Sequence, residues 1–527
     1  MKSNYKYKEY LANVFPCIYF GLICGSVTGA FIFLFKLAAK KAESASRAVY
    51  SLASGKPLYI AAVFVGLVAF AVAMYFLHKR VPEAKGGGIP RSEGVLRGVL
   101  SFRWFKTLVG TFFGSMISYL CGLPVGSEGP AVLMGTALGG MCGKISKNRT
   151  TWSRYVMTGG AGAGFAVATG APFSGILFAL EEIHKRFTPM LVIMVSVSVV
   201  SASAVNELLC SVFGMSPSLF AFEPLAEFEL KHSGYLILLG VIIALAVGVF
   251  DGSLWLFNRF SSKINKYLPG PSKLVLLFAL TGILGFVFPD ALYSGHDVIH
   301  HFAEHEGALG LLFALFAVRL LLMLFVTDSG ATGGIFIPTL AIGALVGAVA
   351  AKLLVFMGMP EQSYAAIVLL GTCGFIGGTL RAPLTAAVLF VELTGQFQSL
   401  LFVALVIFTV NFITEIFNLT PFYDRALESM EHAQNKGRQP TIACFEMRVS
   451  HGAFVVGKTV RDIMWPSSSV VISVKRADES RIDMDHDGEK RLYAEDTLVV
   501  RAKYFDENEV RSLLAGLIGN KDIARIE

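Results

Sequence analysis

The feature that most constrains this chain is a set of long apolar segments without charge. Residues 58–77, LYIAAVFVGLVAFAVAMYFL, contain no acidic or basic side chain, and a helix of about 20 such residues crosses the core of a bilayer. Residues 191–214 and 235–250 are similarly apolar. Charged residues make up only 16% of the 527 residues, against about 25% in soluble proteins. A polytopic all-α membrane protein is predicted, rather than a large soluble enzyme with buried helices.

Charge and cysteine usage exclude several other classes. The net charge is +7, and basic residues gather in the N-terminal segment at Lys2, Lys6 and Lys8. The positive-inside rule therefore predicts a cytoplasmic N-terminus, and we expect an integral protein of a bacterial plasma membrane. The seven cysteines show no CxxC pair and no metal-ligand spacing, so no metal or cofactor is predicted. Basic and aromatic residues are not interleaved, so nucleic acid is not an expected partner.

An internal repeat divides the apolar region into two halves. Residues 171–181, APFSGILFALE, match residues 382–392, APLTAAVLFVE, at an offset of 211. A second match lies upstream at an offset of 208 and pairs Pro130, Gly135, Gly139 and Lys144 with Pro338, Gly343, Gly347 and Lys352. We predict homologous halves over about 15–215 and 230–425, within a membrane domain of residues 1–430. Repeats of this kind are common in transporters, which bind substrate where broken helices of the two halves meet.

Glycine and proline interrupt the apolar sequence at matching places in the two halves. The first half has GGGIP at 86–90 and GSEGP at 126–130, and the second has GGIFIP at 333–338. Proline suits the first turn of a helix, and glycine lets the backbone approach a ligand. Because free N–H groups and the helix dipole favour an anion, two such starts near mid-membrane predict an anion site without a fixed positive side chain. The alternative is that these residues only kink packed helices.

The composition changes after the apolar region. Residues 431–440, EHAQNKGRQP, are polar and are interpreted as a linker. Residues 441–527 are charged, with β-type runs at 442–449, 470–474 and 497–500 and a helical pattern at 508–518. We predict a small α/β domain, which is cytoplasmic if the N-terminus is and the number of crossings is even.

The interrupted motifs resemble those of the CLC family of chloride channels and proton-coupled chloride transporters, over about residues 10–430. GGGIP is similar to the family's GSGIP, GSEGP to GREGP or GKEGP, and GGIFIP to GIFAP. Pro421-Phe-Tyr423 is similar to the segment that carries the family's tyrosine. The resemblance implies an inverted-repeat helical fold in the lipid bilayer. It also implies a homodimer with one independent pore per subunit, and chloride and protons as the transported partners.

The resemblance also implies roles for individual residues. Glu128 becomes the gating glutamate, whose carboxylate occupies the outer anion site and swings away when protonated. The residues implied in anion binding are Gly87, Ser127, Gly129, Ile335, Phe336, Ile337 and Tyr423. An ionised carboxylate inside a membrane is costly and indicates function, and the N–H groups that stabilise it also bind the anion. Carboxylate and anion then compete for one place, which couples protons to chloride. The competing interpretation of Glu128 is a structural helix N-cap.

A second glutamate separates exchangers from channels in this family. Glu182 falls on the exchangers' internal proton glutamate, and we therefore expect a secondary-active H⁺/Cl⁻ exchanger. Alternatively, Glu181 and Glu182 form a helix cap or pair with Lys185 and Arg186. A passive channel or uncoupled anion carrier is the alternative function. An enzyme is not predicted, because no nucleophile with a base, metal cluster or Walker loop is present.

Two positions depart from the family pattern. Gly87 replaces the central-site serine, so a hydroxyl donor to the anion is lost, and selectivity among chloride, nitrate and bromide is open. A hydrogen bond to a charged group contributes about 1.5–3 kcal/mol. Ser127 replaces the basic residue before the gating glutamate, which removes a positive charge at the outer mouth. Fluoride-exporting members also depart at these motifs, so fluoride/proton antiport is a further alternative.

The C-terminal domain resembles the C-terminal lobe of RCK (TrkA-C type) domains. The similar elements are residues 455–462, VVGKTVRD, residues 470–476, VVISVKR, and residues 492–502, LYAEDTLVVRA. Such lobes dimerise and sense a small ligand, which implies a regulatory site for a small molecule or nucleotide. Residues 483–488, DMDHDG, fit the first half of an EF-hand loop, but position 12 is Ala494. We interpret this run as an acidic turn, not a metal site.

Overall fold

The computed structural model describes residues 2–145, 151–217, 222, 225–264, 271–435, 439–466, 469–476, 481–483 and 488–526. Helices dominate the first 435 residues. Those before residue 215 are α1 (Lys2–Ala53), α2 (Pro57–Arg80), α3 (Ile89–Arg97), α4 (Trp104–Leu120), α5 (Glu128–Ile145), α6 (Thr151–Thr169), α7 (Pro172–Phe178) and α8 (Pro189–Phe213). Those after it are α9 (Ser233–Ile264), α10 (Ser272–Val287), α11 (His296–Glu304), α12 (Leu309–Ser329), α13 (Phe336–Phe356), α14 (Tyr364–Leu380), α15 (Pro383–Thr394), α16 (Leu400–Ile416) and α17 (Phe422–Gln434).

Seven of the described helical segments are long and apolar enough to cross a membrane, which confirms the predicted helical membrane protein. They differ in how much of their surface the rest of the protein covers. Only 17% of the most apolar window of α2 is buried, whereas 72% of that of α13 and 94% of that of the 361–380 segment is buried. Helices such as α2 therefore present apolar side chains outward, and α13 and α14 form the interior.

Glycines bring the central helices into backbone contact in both halves. A methyl group on Gly135 of α5 would lie 2.1 Å from the Gly160 carbonyl oxygen of α6. In the second half, one on Gly371 of α14 would lie 2.4 Å from the Gly347 Cα of α13. Small residues at such crossings let membrane helices approach closely. The pairs α5–α6 and α13–α14 are therefore the tightly packed centre of each half.

Two glutamates cap helices across the halves in a reciprocal way. The Glu392 carboxylate at the end of α15 accepts hydrogen bonds from the backbone N–H groups of Phe173 and Ser174, each at 2.7 Å, in the first turn of α7. The Glu181 carboxylate, in a π turn after α7 (Ala179–Ile183), accepts them from Leu384 at 3.0 Å and Thr385 at 2.7 Å in α15. The Ser174 and Thr385 hydroxyls donate to the same carboxylates. Residues 211 apart thus make the same contacts in exchanged positions.

The C-terminal domain is a five-stranded sheet with one helix. Its elements are β1 (Thr441–Arg448), β2 (Ser469–Lys475), β3 (Arg481–Asp483), β4 (Thr497–Tyr504), α18 (Glu507–Ile518) and β5 (Ile523–Arg525). The strand order is β3-β2-β4-β1-β5, and every pairing is antiparallel. The predicted strands and helix of this domain are present. Residues 431–434 of the interpreted linker form the last turn of α17, and 484–487 of the EF-hand-like run lie outside the described residues.

The C-terminal domain docks on the N-terminal end of α6. The Tyr155 hydroxyl donates to the Asp462 carbonyl at 2.9 Å, and the Arg154 guanidinium donates to the Trp465 carbonyl at 3.3 Å. The Trp152 and Phe454 rings meet edge to face at 5.4 Å. Buried Met464 joins an apolar cluster with side chains of α1, α6 and α8. The domain is thus anchored to the membrane part by both apolar and polar contacts.

A buried lysine lies in this docking surface. The Lys458 ammonium lies 3.3 Å from the centroid of the Phe454 ring and 5.9 Å from that of Trp152, and donates to the Phe454 carbonyl. Burial lowers the pKa of Lys458 to about 7, and the nearby Cys17 thiol of α1 opposes this only in part. Docking and protonation of Lys458 are therefore linked.

The reciprocal caps yield a paired prediction. Glu392→Gln and Glu181→Gln each replace a charged acceptor by an amide, and each should lower the free energy of unfolding by about 1.5–3 kcal/mol, the contribution of a hydrogen bond to a charged group. The apparent melting temperature in detergent measures the effect, with exposed Glu361→Gln as the matched control. A loss in only one of the two variants would contradict their equivalence.

Candidate anion and proton site

Three glycine-rich segments meet through their backbones at the centre of the membrane part. Gly126 and Gly334 exchange two hydrogen bonds, with N–O distances of 2.7 Å and 2.8 Å. Gly86 donates to the Gly330 carbonyl at 3.0 Å and accepts from the Gly333 N–H at 3.4 Å. Backbone hydrogen bonds therefore join the segments before α3, α5 and α13, and the Thr332 hydroxyl adds a bond to the Ala84 carbonyl at 2.8 Å. The starts of α5 and α13 lie next to each other.

This approach requires glycine at specific positions. A methyl group on Gly129 would lie 1.8 Å from the Gly87 carbonyl oxygen. Gly88 has φ +84°, and a methyl group there would lie 2.4 Å from the Gly129 carbonyl oxygen. Both contacts involve backbone atoms, which cannot rotate away. The Gly-rich motifs are thus explained by close backbone approach as well as by their positions at helix starts.

Glu128 is buried where these two helices begin. The residue is 1% exposed, and its carboxylate faces the backbone N–H groups of Glu128 itself and of Ile337. The Ser127 hydroxyl donates to Glu128 Oε1 at 3.0 Å. Among the described residues Oε2 has no hydrogen-bond partner, and it lies against Gly126, where a methyl group would be 2.3 Å away. The carboxylate therefore folds back over its own loop, between the starts of α5 and α13.

The other predicted anion-binding residues surround this junction. Ile335 is the N-cap of α13, and Phe336 and Ile337 form its first turn, where N–H groups lack intrahelical partners. Tyr423, near the start of α17, is 1% exposed, and its hydroxyl has no partner among the described residues. Its ring lies within electrostatic range of both Glu128 and Glu182. An unpaired buried hydroxyl is costly, so Tyr423 offers a donor for an anion between the two glutamates.

Gly87 leaves room at the same junction. A methyl group on Gly87 would find only the Gly333 carbonyl oxygen nearby, at 3.7 Å, which is an ordinary contact. The fold therefore does not require glycine at this position, in contrast to Gly88 and Gly129. A serine at this position would therefore fit the backbone as it stands.

Glu182 is buried on the side of the molecule that carries the C-terminal domain. It is 2% exposed and lies in the π turn after α7, and its Oε1 has no hydrogen-bond partner among the described residues. The charge of Lys185 acts on it, but Lys185 forms its short ion pair with Asp424, at 2.5 Å. Glu181 is directed away as the cap of α15. The two neighbouring glutamates therefore have different environments.

Sequence reasoning missed a second buried carboxylate beside Glu182. Glu93 of α3 is completely buried, pairs with Arg97 at 2.8 Å and lies 3.5 Å from the Lys185 ammonium. Glu93 and Asp424 contribute to the charge around Glu182. Glu93 follows GGGIP by three residues and Asp424 follows Tyr423 directly. Their closeness to the motifs in sequence is the signal that could have identified these two carboxylates.

An aromatic cluster lies between the two glutamate regions. The Phe165 and Phe178 rings stack at 4.2 Å, and the Phe336 ring meets Phe165 edge to face at 5.0 Å. Phe336 belongs to the anion junction, and Phe178 precedes the π turn that carries Glu182. Apolar rings thus separate the two carboxylates, whereas Tyr423 places a polar group near both.

A large cavity reaches Glu128 from the opposite side. Its volume is about 1280 Å³, and it is lined by Ser127, Glu128 and Ile337 at its inner end. Charged residues of both signs line the rest, namely Lys36, Lys40, Glu43, Arg47, Asp290, Asp297 and Arg319. The cavity therefore connects the buried carboxylate to an outer charged mouth.

These features define a polytopic membrane protein in which helix starts converge on a buried carboxylate. The family model described as voltage gated chloride channel matches residues 69–415. The chain therefore belongs to this family, the CLC family.

Individual relatives agree with this assignment. The chain is 31% identical over 376 residues to a protein named H(+)/Cl(-) exchange transporter ClcA from Salmonella paratyphi A, covering 69% of this chain and 78% of that protein. A structure of a slow cyanobacterial Cl⁻/H⁺ antiporter is similar with a TM-score of 0.72 and 26% identity, over 80% of this chain and 99% of that one. A CLC-type fluoride/proton antiporter shares the fold, with a TM-score of 0.61 and 19% identity over 76% of this chain and 95% of that one.

The glycine contacts predict opposite outcomes at neighbouring positions. Gly87→Ser should fold normally and strengthen chloride binding, because the space is open and the added hydroxyl can donate to the anion; a gain of up to about 1.5–3 kcal/mol corresponds to tenfold or more. Isothermal titration calorimetry with chloride measures it.

The matched control is Gly129→Ala, whose methyl group would clash with the Gly87 carbonyl. It should reduce the yield of folded protein or abolish chloride binding. Weaker binding in a well-folded Gly87→Ser would rule out the central hydroxyl site, and normal binding in Gly129→Ala would show that the backbone junction can relax.

Proposed function

We propose that this chain is a secondary-active H⁺/Cl⁻ exchanger, which moves chloride in antiport with protons across the membrane. The observation that carries the proposal is the presence of two buried carboxylates, Glu128 and Glu182, near the Tyr423 hydroxyl, which has no hydrogen-bond partner in the described part of the chain. The names of the bacterial relatives support the same activity.

Chloride binding is assigned to the junction of α5 and α13. In this proposal the N–H groups of Ile335 and Phe336, with the Tyr423 hydroxyl, hold a central anion. Ser127, Gly129 and Ile337 surround an outer site that the Glu128 carboxylate occupies when it is ionised. The free N–H groups at helix starts supply the attraction, since they favour negative charge.

Coupling follows from competition for the outer site. An ionised Glu128 excludes chloride there, and protonation removes its charge so that an anion replaces it. Each exchange of anion for carboxylate thus follows the gain or loss of one proton. The large cavity supplies protons and chloride to Glu128 from its side of the membrane.

Glu182 is proposed to supply protons to Glu128 from the other side. The support for this role is the burial of Glu182 next to the ion pairs that Lys185 makes with Asp424 and Glu93. In this proposal the aromatic rings of Phe165, Phe178 and Phe336, which contact one another between the two carboxylates, exclude chloride from the proton route. Protons and chloride therefore share Glu128 but reach it from this side along different paths.

The decisive experiment uses purified protein in liposomes with an imposed chloride gradient and no initial pH gradient. Potassium and valinomycin set the voltage so that a passive proton leak would run the opposite way. We expect chloride to drive protons uphill in the wild type. Glu182→Gln should abolish proton movement while chloride still flows, because only the internal proton donor is lost.

Glu128→Gln separates the roles of the two carboxylates. The neutral amide imitates the protonated side chain, so this variant should transport chloride without protons and with a flat pH dependence. Chloride flux without uphill proton flux in the wild type would instead identify a passive channel or uncoupled carrier. Replacement of chloride by fluoride in the same assay tests the fluoride alternative.

The C-terminal domain is proposed to regulate transport, as the resemblance to RCK lobes implies for a small-molecule or nucleotide ligand. The support is its contact with the N-terminal end of α6 through Trp152, Arg154 and Tyr155. Helix α6 packs along α5, which begins at Glu128. We also propose a homodimer in a bacterial plasma membrane with both termini in the cytoplasm.

Docking of the C-terminal domain should strengthen as the pH rises from 7 to 9. The pKa of Lys458 in the docked state is about 7, whereas an exposed lysine titrates near pH 10.4. Between these values the undocked state binds more protons, so rising pH favours docking, and below pH 7 the two states respond alike. Hydrogen exchange of residues 454–465, corrected for intrinsic rates, measures docking.

Lys458→Met is the control for this prediction, because the methionine side chain is apolar and does not titrate. Its exchange should be slow at both pH values. Equal protection of the wild type at pH 7 and pH 9 would contradict the linkage.

A further inference from the structure

A lysine enters the outer cavity from the middle of an apolar helix. Residues 16–35 of α1 contain no charged side chain, and Lys36 is the first charge after them. A charge at such a position is costly and indicates function. Lys36 lines the same cavity as Ser127 and Glu128, although it precedes them by about 90 residues and belongs to a different helix.

The Lys36 ammonium is held in place by the end of another helix. It donates a hydrogen bond to the Val167 carbonyl at 2.8 Å, in the last turn of α6. The C-terminal end of a helix carries partial negative charge and free carbonyls, and therefore stabilises a cation. This bond uses one of the three N–H groups of the ammonium, so the charge is fixed while it remains able to act on the cavity.

The charge of Lys36 acts on the Glu128 carboxylate. The two groups attract each other electrostatically across the inner end of the cavity. The other titratable groups that face Glu128 are Tyr119 of α4 and Tyr423 of α17, and the Cys210 thiol of α8 faces Lys36. Of these side chains, only Lys36 is a cation.

We propose that Lys36 supplies the positive charge that Ser127 lacks. This charge adjusts the balance between chloride and the Glu128 carboxylate at the outer site. The inference rests on the proposed gating role of Glu128. A fixed cation at the inner end of the cavity raises the local chloride concentration. It also favours the ionised carboxylate over the protonated one. A single lysine on α1 thereby sets both the apparent chloride affinity and the pH at which chloride replaces the Glu128 carboxylate.

Two measurable changes follow from removing this charge. Lys36→Gln keeps a side-chain donor for the Val167 carbonyl but is neutral. The KM for chloride should rise several-fold at low ionic strength, with a smaller difference at high ionic strength because salt screens the attraction. The midpoint of the pH dependence of chloride transport should move upward by about 0.5–1 pH unit, since Glu128 protonates more readily without the cation.

Matched variants separate this role from a structural one. Lys36→Arg keeps the charge and should resemble the wild type. Lys40 lies one turn further along α1, is exposed and lines the same cavity, so Lys40→Gln should change the KM and the pH midpoint little.

Adding Ser127→Lys to Lys36→Gln returns a positive charge beside Glu128 and should restore both values. Ser127→Lys alone should move the pH midpoint downward, which keeps the test informative if Lys36→Gln folds poorly.

The experiment measures chloride flux from proteoliposomes against chloride concentration and symmetric pH, with an impermeant anion setting the ionic strength. Unchanged values in Lys36→Gln would overturn the inference, and so would equal effects of Lys36→Gln and Lys40→Gln.

Glu128→Gln in the same assay separates the Lys36 inference from the proposed gating role of Glu128. If its flux is independent of pH and Lys36→Gln has no effect, only the Lys36 inference fails. If it keeps the wild-type pH profile, the gating role of Glu128 fails and the Lys36 inference fails with it.

Discussion

Two backbone hydrogen bonds between Gly126 and Gly334 join the beginnings of α5 and α13, and the arrangement of the site depends on them. Because these bonds involve no side chain, the spacing of the two helix starts does not depend on the position of the Glu128 carboxylate. Gly86 ties the segment before α3 to the same junction. The result is a frame of hydrogen-bonded backbone around the Glu128 side chain.

Burying an ionised carboxylate costs free energy, and the groups around each carboxylate offset that cost. Glu128 and Glu182 are both almost completely buried, yet they are stabilised in different ways. Glu128 lies at helix starts, where the stabilising groups are also those an anion would use. Glu182 lies beside an ion cluster that includes Lys185, Glu93 and Asp424. In the proposed exchanger, Glu128 therefore competes with an anion, whereas Glu182 lies next to ion-paired side chains.

Much of this organisation was predictable from the sequence, because its physical causes are local. Apolar runs predicted the membrane helices, and the position of Pro130 and Pro338 indicated where α5 and α13 begin. The strands of the C-terminal domain were also predicted from their composition. Long-range contacts could not be read in this way. Nothing local to Lys36 indicates that its ammonium reaches the end of α6, and the pairing of Glu93 with Lys185 joins residues far apart in the chain.

The reciprocal caps of α7 and α15 have a consequence for how the chain is made. The N–H groups at the start of α7 appear early in synthesis, but their acceptor, Glu392, follows Phe173 by 219 residues. Until that residue leaves the ribosome, the first N–H groups of α7 lack the carboxylate that caps them, and water or other polar groups must satisfy them. The cap of α7 in the first half is therefore completed only after the matching segment of the second half, which carries Glu392, has been synthesised.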